Sequence, residues 1–169
     1  MTDNSVSAIP EPEEPAEWDP ATDPDGYTWE DVRPHDVLLD VALNFTTGGR
    51  DDTRGGSLSL TVIVGGQVVS GVAISRRDWI DGVTAGYVQA GGTEHLGKLY
   101  NEVHEMAVNE WTRRDDAELP ARARHFLHMR DVILGVGPGA IKLGYWRGVL
   151  ADVSGWSFDS TNLPGTATE

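Results

Sequence analysis

The stretch LSLTVIVGGQVVSGVAI, residues 58–74, decides the fold of this chain. It holds two apolar, β-rich runs joined by Gly65 and Gly66. A two-glycine connection favours the primed turns that match the twist of antiparallel strands, so the stretch predicts a β-hairpin. In that register Leu60 faces Gly71, a residue with no side chain. We therefore expect close packing at this point of the hairpin.

The two faces of the predicted hairpin differ in polarity. One face is apolar, and the other is only half polar because hydroxyl and aliphatic side chains alternate along it. The residues of that second face are Ser59, Thr61, Ile63, Val68, Ser70 and Val72. We expect both faces to be covered, either in a closed barrel or in a sheet with helices packed on it.

The segment before the hairpin, residues 34–45, is compatible with two periods. Alternating apolar residues fit a strand, whereas a second set of apolar residues forms a helical stripe. Pro34 at the start and Gly48 and Gly49 at the end favour a helix. The predicted stripe consists of Val37, Leu38, Val41, Ala42 and Phe45.

Immediately after the hairpin, Ser75 is a candidate N-cap with Asp78 three residues later, which predicts a short helix. Residues 81–92 contain four glycines, and we expect them to be loosely ordered.

Residues 93–113 predict the long helix of the fold, because apolar side chains recur at spacings of three and four. Its predicted stripe consists of Leu96, Leu99, Tyr100, Val103, Met106, Ala107 and Trp111. Three strands are then predicted within residues 125–136, 141–153 and 155–160, separated by turns rich in glycine.

These elements predict an α+β fold. The expected core is a small antiparallel β-sheet or a partly closed barrel, made of the hairpin plus a three-stranded meander. One long amphipathic helix is inserted, together with one or two shorter helices. We expect an acidic, proline-rich disordered tail over residues 1–27, one folded domain over residues 28–160, and a disordered C-terminal tail over residues 161–169.

Charge and composition exclude several classes of function. The chain has 169 residues and a net charge of −14, and ten of its acids but no Lys or Arg lie in residues 1–31. An acidic protein is a poor binder of nucleic acids and of anionic membranes. The absence of cysteine excludes disulfides and thiolate metal sites. With no apolar run of transmembrane length and no leader, we expect a cytoplasmic protein.

No residue pattern predicts catalysis, a cofactor site or a metal site. His125 and His128 are the best metal candidates, but in a strand a three-residue spacing places them on opposite faces. No serine lies in a nucleophile elbow. The run GVGPGAIKLG, residues 135–144, lacks the Walker spacing and reads as a hairpin loop. We therefore expect that the protein is not an enzyme.

Tryptophan is the unusual component of the folded part. Trp79, Trp111, Trp146 and Trp156 either fill the core or form an interface with Arg147, since Trp and Arg are common interface anchors. On a strand, Trp146 and Arg147 would point to opposite faces.

Three segments together resemble a known family. LSLTVIVGGQVVSGVAIS (58–75), HFLHMRD (125–131) and YWRGVLADVSGWSF (145–158) occur in this order. They resemble the gas vesicle accessory proteins of the U type, the GvpU family. The resemblance extends from about residue 37 to residue 158.

This resemblance implies a non-enzymatic helper of gas vesicles, the protein-shelled, air-filled compartments of some bacteria and archaea, with a role in vesicle clustering or assembly. It implies gas vesicle shell or accessory proteins as partners, a gas vesicle-associated location in the cytoplasm, and self-association into a homo-oligomer. It also implies a structural signature made of Gly65, Gly66, Gly71, Arg130, Asp131, Trp146, Arg147, Gly148 and Gly155. The interaction residues we expect are Trp79, Trp146, Arg147 and Trp156.

Two hypotheses of function follow. The first is an interaction protein that uses an edge strand or an exposed aromatic patch. The alternative is a small barrel of the Sm or SH3-like type that binds RNA or a small ligand, although the acidic charge disfavours RNA.

Overall fold

A computed structural model describes residues 18–158, which form a five-stranded sheet with three α-helices. The helices and strands follow one another along the chain as α1 (Val37–Thr47), β1 (Ser57–Val64), β2 (Gln67–Ile74), α2 (Arg76–Gln89), α3 (His95–Asp116), β3 (Phe126–Leu134), β4 (Ile141–Val149) and β5 (Val153–Ser157). The predicted α+β class is confirmed.

The sheet is open and entirely antiparallel, with the strand order β4-β3-β2-β1-β5. The prediction that the last three strands form a meander is wrong, because β5 pairs with β1 instead of β4. A short 3-10 turn, Leu150–Asp152, leads the chain away from β4, and Leu150 is buried in the core. Since β4 and β5 lie at opposite edges, the sheet does not close into the barrel that was the other expectation.

The predicted hairpin and its register are confirmed, with Leu60 paired with Gly71. Gly65 and Gly66 have φ angles of 57° and 78°, the left-handed values that a primed turn requires. The reason for glycine at position 71 differs from the prediction. A Cβ there would lie 2.9 Å from the carbonyl oxygen of Arg130 on β3. The neighbouring strand, rather than Leu60, therefore excludes a side chain.

Helix α1 covers one face of the sheet. Asp36 caps it by accepting hydrogen bonds from the backbone N–H groups of Leu38 and Leu39. Leu39 and Leu43 point into the core, where they join apolar side chains of β1, β2 and β3. The helix was predicted correctly, but its predicted apolar stripe is largely on the solvent side: Val37, Leu38, Val41 and Phe45 are exposed.

Helix α2 packs on the opposite face, against β3 and β4. The predicted N-cap is confirmed, since the Ser75 hydroxyl accepts from the N–H of Asp78. The prediction that residues 81–92 are loosely ordered is wrong, because α2 continues to Gln89. Packing outweighs the low helix propensity of glycine: the ring of Tyr145 on β4 occupies the space beside Gly82.

The long helix α3 is confirmed, but it buries less of its predicted stripe than expected. Leu99, Val103 and Met106 are exposed, whereas His104 and Arg114 are buried. None of the helices in the described part of the chain is long and apolar enough to cross a membrane.

Residues 18–34 form turns that contact the folded domain. Arg114 is almost fully buried and donates a hydrogen bond from Nη2 to the carbonyl oxygen of Asp25 and one from Nε to that of Pro120. The Trp18 and Trp29 rings meet edge to face at 4.8 Å. The rest of the predicted acidic tail, residues 1–17, and the predicted C-terminal tail, residues 161–169, lie outside the described residues.

Candidate functional site

The outer face of α1 is the most apolar exposed surface of a helix in the described chain. Val37, Leu38, Val41 and Phe45, which we call the α1 stripe, are 68%, 70%, 59% and 91% exposed. Their spacing places them on one side of the helix, opposite the core residue Leu43. An apolar patch that a folded domain leaves in water marks a surface for another macromolecule.

Other surfaces are also open to partners. The exposed residues of α3, namely Leu99, Val103 and Met106, form a second apolar flank. Strands β4 and β5 are the edges of the sheet, and each has one side without a strand partner. Edge strands can pair with another chain, but Lys142 on β4 is the kind of charge that discourages such pairing.

A buried ionic cluster lies at the start of β3. Asp51 forms an ion pair with Arg124, at 2.5 Å between Oδ1 and Nη1, and lies 3.1 Å from Nδ1 of His128. Arg124 also donates to the Asn44 side chain and to the carbonyl oxygen of Gly48. These contacts tie the loop after α1 to β3.

For both Asp51 and His128, burial and the neighbouring groups have opposite effects on the pKa. Burial would raise the pKa of Asp51, but the hydrogen bond to His128 and the charge of Arg124 outweigh it, so the pKa is lowered. Burial lowers the pKa of His128 despite the contact with Asp51. His128 is therefore neutral at pH 7, and Asp51 is ionised.

A second ionic group lies nearby. Asp31 has a fully buried side chain that pairs with Arg122 at 2.9 Å and lies 3.2 Å from Nε2 of His125. His125 lies just before β3 and lines the same cavity as His128. Each histidine faces its own aspartate, and no group of three potential ligands for a metal ion is found in residues 18–158.

Three of the signature glycines, Gly71, Gly148 and Gly155, occupy positions where a Cβ would contact other parts of the fold. Gly148 lies under the indole of Trp146, two residues away on the same face of β4. Gly155 on β5 pairs with Ile63, whose side chain lies 3.6 Å from where a Cβ would be. Gly71 meets the β3 backbone, as described above.

Asp131 lies in a β-bulge on β3, at the register shift opposite Gly71, and Arg130 directly precedes it. Asp131 has a φ of 53°, and its carboxylate accepts from Arg130 at 2.7 Å. Both side chains are exposed, on an irregularity of the kind that re-aims side chains at sheet surfaces.

Trp146 and Arg147 point to opposite faces of β4. Trp146 packs against the apolar core, while the Arg147 guanidinium lies 3.5 Å from the centroid of the Phe126 ring on the other face. Trp79 and Trp156 are also partly buried. The Trp79 ring lies 5.4 Å from the His128 ring, and Trp156 lowers the pKa of the Asp36 carboxyl at the start of α1.

Sequence reasoning missed the α1 stripe as a surface and missed the ionic cluster. The stripe was visible as a pattern, but a pattern of apolar residues on both sides of a helix does not say which side is buried. Asp51 and Arg124 carried no signal, since neither is near the other in the sequence.

Comparisons with known proteins give one family. The family model described as "Gas vesicle protein GvpU-like" matches residues 36–161, from the N-cap of α1 to just beyond β5. No curated protein and no solved structure matches the chain. Because the match covers well over half of the sequence, the chain belongs to the GvpU-like family of gas vesicle proteins.

Proposed function

We propose that this protein is a non-enzymatic gas vesicle accessory protein that promotes vesicle clustering or assembly by associating with itself and with other gas vesicle proteins. The family membership supplies the setting. The observation that carries the molecular part of the proposal is the α1 stripe, with Phe45 91% exposed.

The stripe suits pairing between two copies of this chain. A two-fold dimer uses the same surface on both partners, so an uncharged apolar helix face can pack against its own copy. Residues at positions i, i+1, i+4 and i+8 of α1 line one side of a helix and can interdigitate with an antiparallel partner. The high net charge of the chain then limits how large the assemblies become.

Self-association also explains how a small protein could cluster vesicles. A dimer carries two copies of every other surface, including the α3 flank and the sheet edges. One dimer can therefore contact two vesicles at once. After one of its surfaces has bound, the effective concentration of the second surface is raised, so two weak contacts together hold the vesicles.

The test combines size-exclusion chromatography with light scattering on the full chain, and cosedimentation with purified gas vesicles. The variant L38S/F45S removes the apolar area of the stripe without touching the core. We expect wild-type protein to form dimers or larger species and to cluster vesicles, and the variant to be monomeric and inactive in clustering.

The matched control is L99S/M106S, which removes two residues of similar exposure from α3. It should keep the oligomeric state of the wild type. A wild-type protein that is monomeric at all concentrations, or a control that dissociates while L38S/F45S does not, would contradict the assignment of the stripe.

The alternative function, an Sm or SH3-like barrel that binds RNA or a small ligand, requires a closed barrel, and the described sheet is not closed. Its two edge strands, β4 and β5, lie at opposite ends of the strand order and do not pair with each other.

A further inference from the structure

A cavity of about 640 Å³ lies between α1, α3 and the start of β3. Ligand pockets of small molecules typically have volumes of this size. Its walls include the aromatic side chains of Trp111 and Phe126, and two arginines, Arg76 and Arg147, also line it.

Arg76 is held in place but lacks a counter-ion. Its Nε donates to Nδ1 of His104 at 3.0 Å, and its guanidinium lies 4.8 Å from the centroid of the Trp111 ring. Its Nη2 is buried and has no hydrogen-bond partner within residues 18–158. A buried donor without an acceptor costs free energy unless a ligand or water supplies one.

Arg147 also lines the cavity and is likewise held by an aromatic ring. Its guanidinium stacks on Phe126 at 3.5 Å. Stacking covers the flat face of a guanidinium group but not its edge. The N–H groups at the edge can still form bidentate hydrogen bonds to an oxyanion. No ion pair within 4 Å in the described part of the chain involves Arg147 or Arg76.

The acids of the cavity are already engaged with other cations. Asp31 pairs with Arg122, and Asp51 pairs with Arg124. Glu110 pairs with Arg113 at 2.8 Å. Asp40, the fourth acid of the lining, lies 3.7 Å from Nε of Arg124, so the acids of the cavity form no ion pair within 4 Å with Arg76 or Arg147.

The pKa directions agree with this geometry. Burial lowers the pKa of Arg76, the charge of Asp51 offsets part of this effect, and the charges of Arg124 and Arg147 lower the pKa further. Burial likewise lowers the pKa of Arg147. Two guanidinium groups that desolvation and mutual repulsion disfavour would gain from an anion placed between them.

We propose that this cavity binds a small anion whose carboxylate or phosphate oxygens accept hydrogen bonds from Arg76 and Arg147. The aromatic rings under the two guanidinium groups position them, and Asp51 holds Arg124 and His128 in the wall behind. This site does not include the residues of the α1 stripe, so anion binding can be tested independently of self-association.

Isothermal titration of the full chain at constant ionic strength tests the proposal. The probes are inorganic phosphate for a tetrahedral oxyanion and citrate for carboxylates, with sodium chloride as the reference. We expect saturable one-to-one binding of at least one probe, and the probe that binds identifies which oxyanion the site prefers.

The variants R76Q and R147Q should each weaken binding about tenfold or more, since each removes a charge-assisted hydrogen bond. R54Q is the matched control, because Arg54 is exposed, pairs with Asp81 and does not line the cavity. Circular dichroism checks that each variant is folded. Should R76Q fail to fold, R147Q decides the test, because Arg147 lies on an exposed edge strand.

Two results would overturn the proposal. One is that neither phosphate nor citrate binds the wild-type protein beyond the chloride reference. The other is that R147Q binds as tightly as the wild type, or that R54Q weakens binding as much as R147Q does.

Discussion

Towards α1, the sheet presents aliphatic side chains and Met129, whereas its opposite face presents His128 and Arg147 close to Asp51. The first face buries its side chains without any polar partner. The second face buries charge, and each buried charge needs a specific partner at a specific distance. The first arrangement tolerates changes of shape better than the second tolerates the loss of a partner.

The same contrast exists within α1 itself. Leu43 is 1% exposed and Leu38 is 70% exposed, although they are chemically identical and five residues apart. Stability resides on one side of this helix, and the surface available to partners lies on the other. Both contrasts can be tested with matched substitutions.

The largest effect is expected on the ionic side. D51N removes the charge that compensates Arg124, while asparagine still tolerates the left-handed φ of 57° at this position. Breaking a buried ion pair from one side costs about 3–5 kcal/mol of unfolding free energy. Urea denaturation measures this loss.

The control for that experiment is D152N. Asp152 pairs with Arg33 at 2.7 Å, but both side chains are about half exposed. An exposed pair is worth less than about 1 kcal/mol, so this variant should remain close to the wild type. Equal losses in D51N and D152N would contradict the view that burial makes the Asp51 cluster important.

The next effect is on the apolar side. L43A creates a cavity among Leu39, Leu60 and their neighbours, and such substitutions cost about 2–5 kcal/mol. L38A removes the same atoms from the exposed side of the helix and should change stability by no more than about 0.5 kcal/mol. Thermal and urea denaturation of the two variants compare the sides of α1 directly, and a loss in L38A as large as that in L43A would show that the stripe is not a free surface.

A smaller effect is expected at the boundary between hairpin and bulge. G71V places a branched side chain against the Arg130 carbonyl and Val132, 2.9 Å and 3.1 Å from the new Cβ. Overpacking of this kind costs about 1–3 kcal/mol. The control is G144V on β4, where no atom lies within 4 Å of the new Cβ. An unchanged melting temperature in G71V would show that the bulge can move away.

The sequence predicts local structure well where a residue type strongly favours one backbone conformation. Gly65 and Gly66 specify a primed turn, and the turn then fixes the whole hairpin register. Ser75 and Asp78 specify a helix start. These features depend on contacts between residues close in the chain, so a short window contains all the information.

Other features depend on contacts across the fold, and there the sequence was insufficient. Residues 81–92 have poor helix propensity, yet Tyr145 packs on Gly82 and stabilises α2. The destination of β5 depends on burial of Leu150, more than eighty residues from β1 in the chain. Arg76 and Arg147 line the same cavity only because β4 pairs with β3.

The smallest expected effect is the pH dependence of the free energy of unfolding. The histidines and Asp51 contribute to it in different pH ranges. Burial lowers the pKa of His104 and of His128 below the ordinary value of 6.5, because the protonated ring is poorly solvated. The unfolded chain therefore takes up protons more readily than the folded protein does. Stability from the neutral histidines is complete above pH 6.5 and is lost as the pH falls below that value. The lowered pKa of Asp51 acts only below its ordinary value of 3.8.

Urea midpoints measured at pH 7.5 and pH 5.0 therefore report mainly on the histidines, since the carboxylates with lowered pKa values, such as Glu110, contribute chiefly below the ordinary carboxyl values of 3.8 to 4.5. We expect the wild type to lose stability between these pH values, and H104Q to lose less, because glutamine still accepts the hydrogen bond from Arg76 Nε but cannot be protonated. H95Q, at the exposed start of α3, is the control and should behave like the wild type. A loss in H104Q equal to that of the wild type would mean that His104 does not contribute to acid sensitivity, and that the ionic face responds to pH through His128.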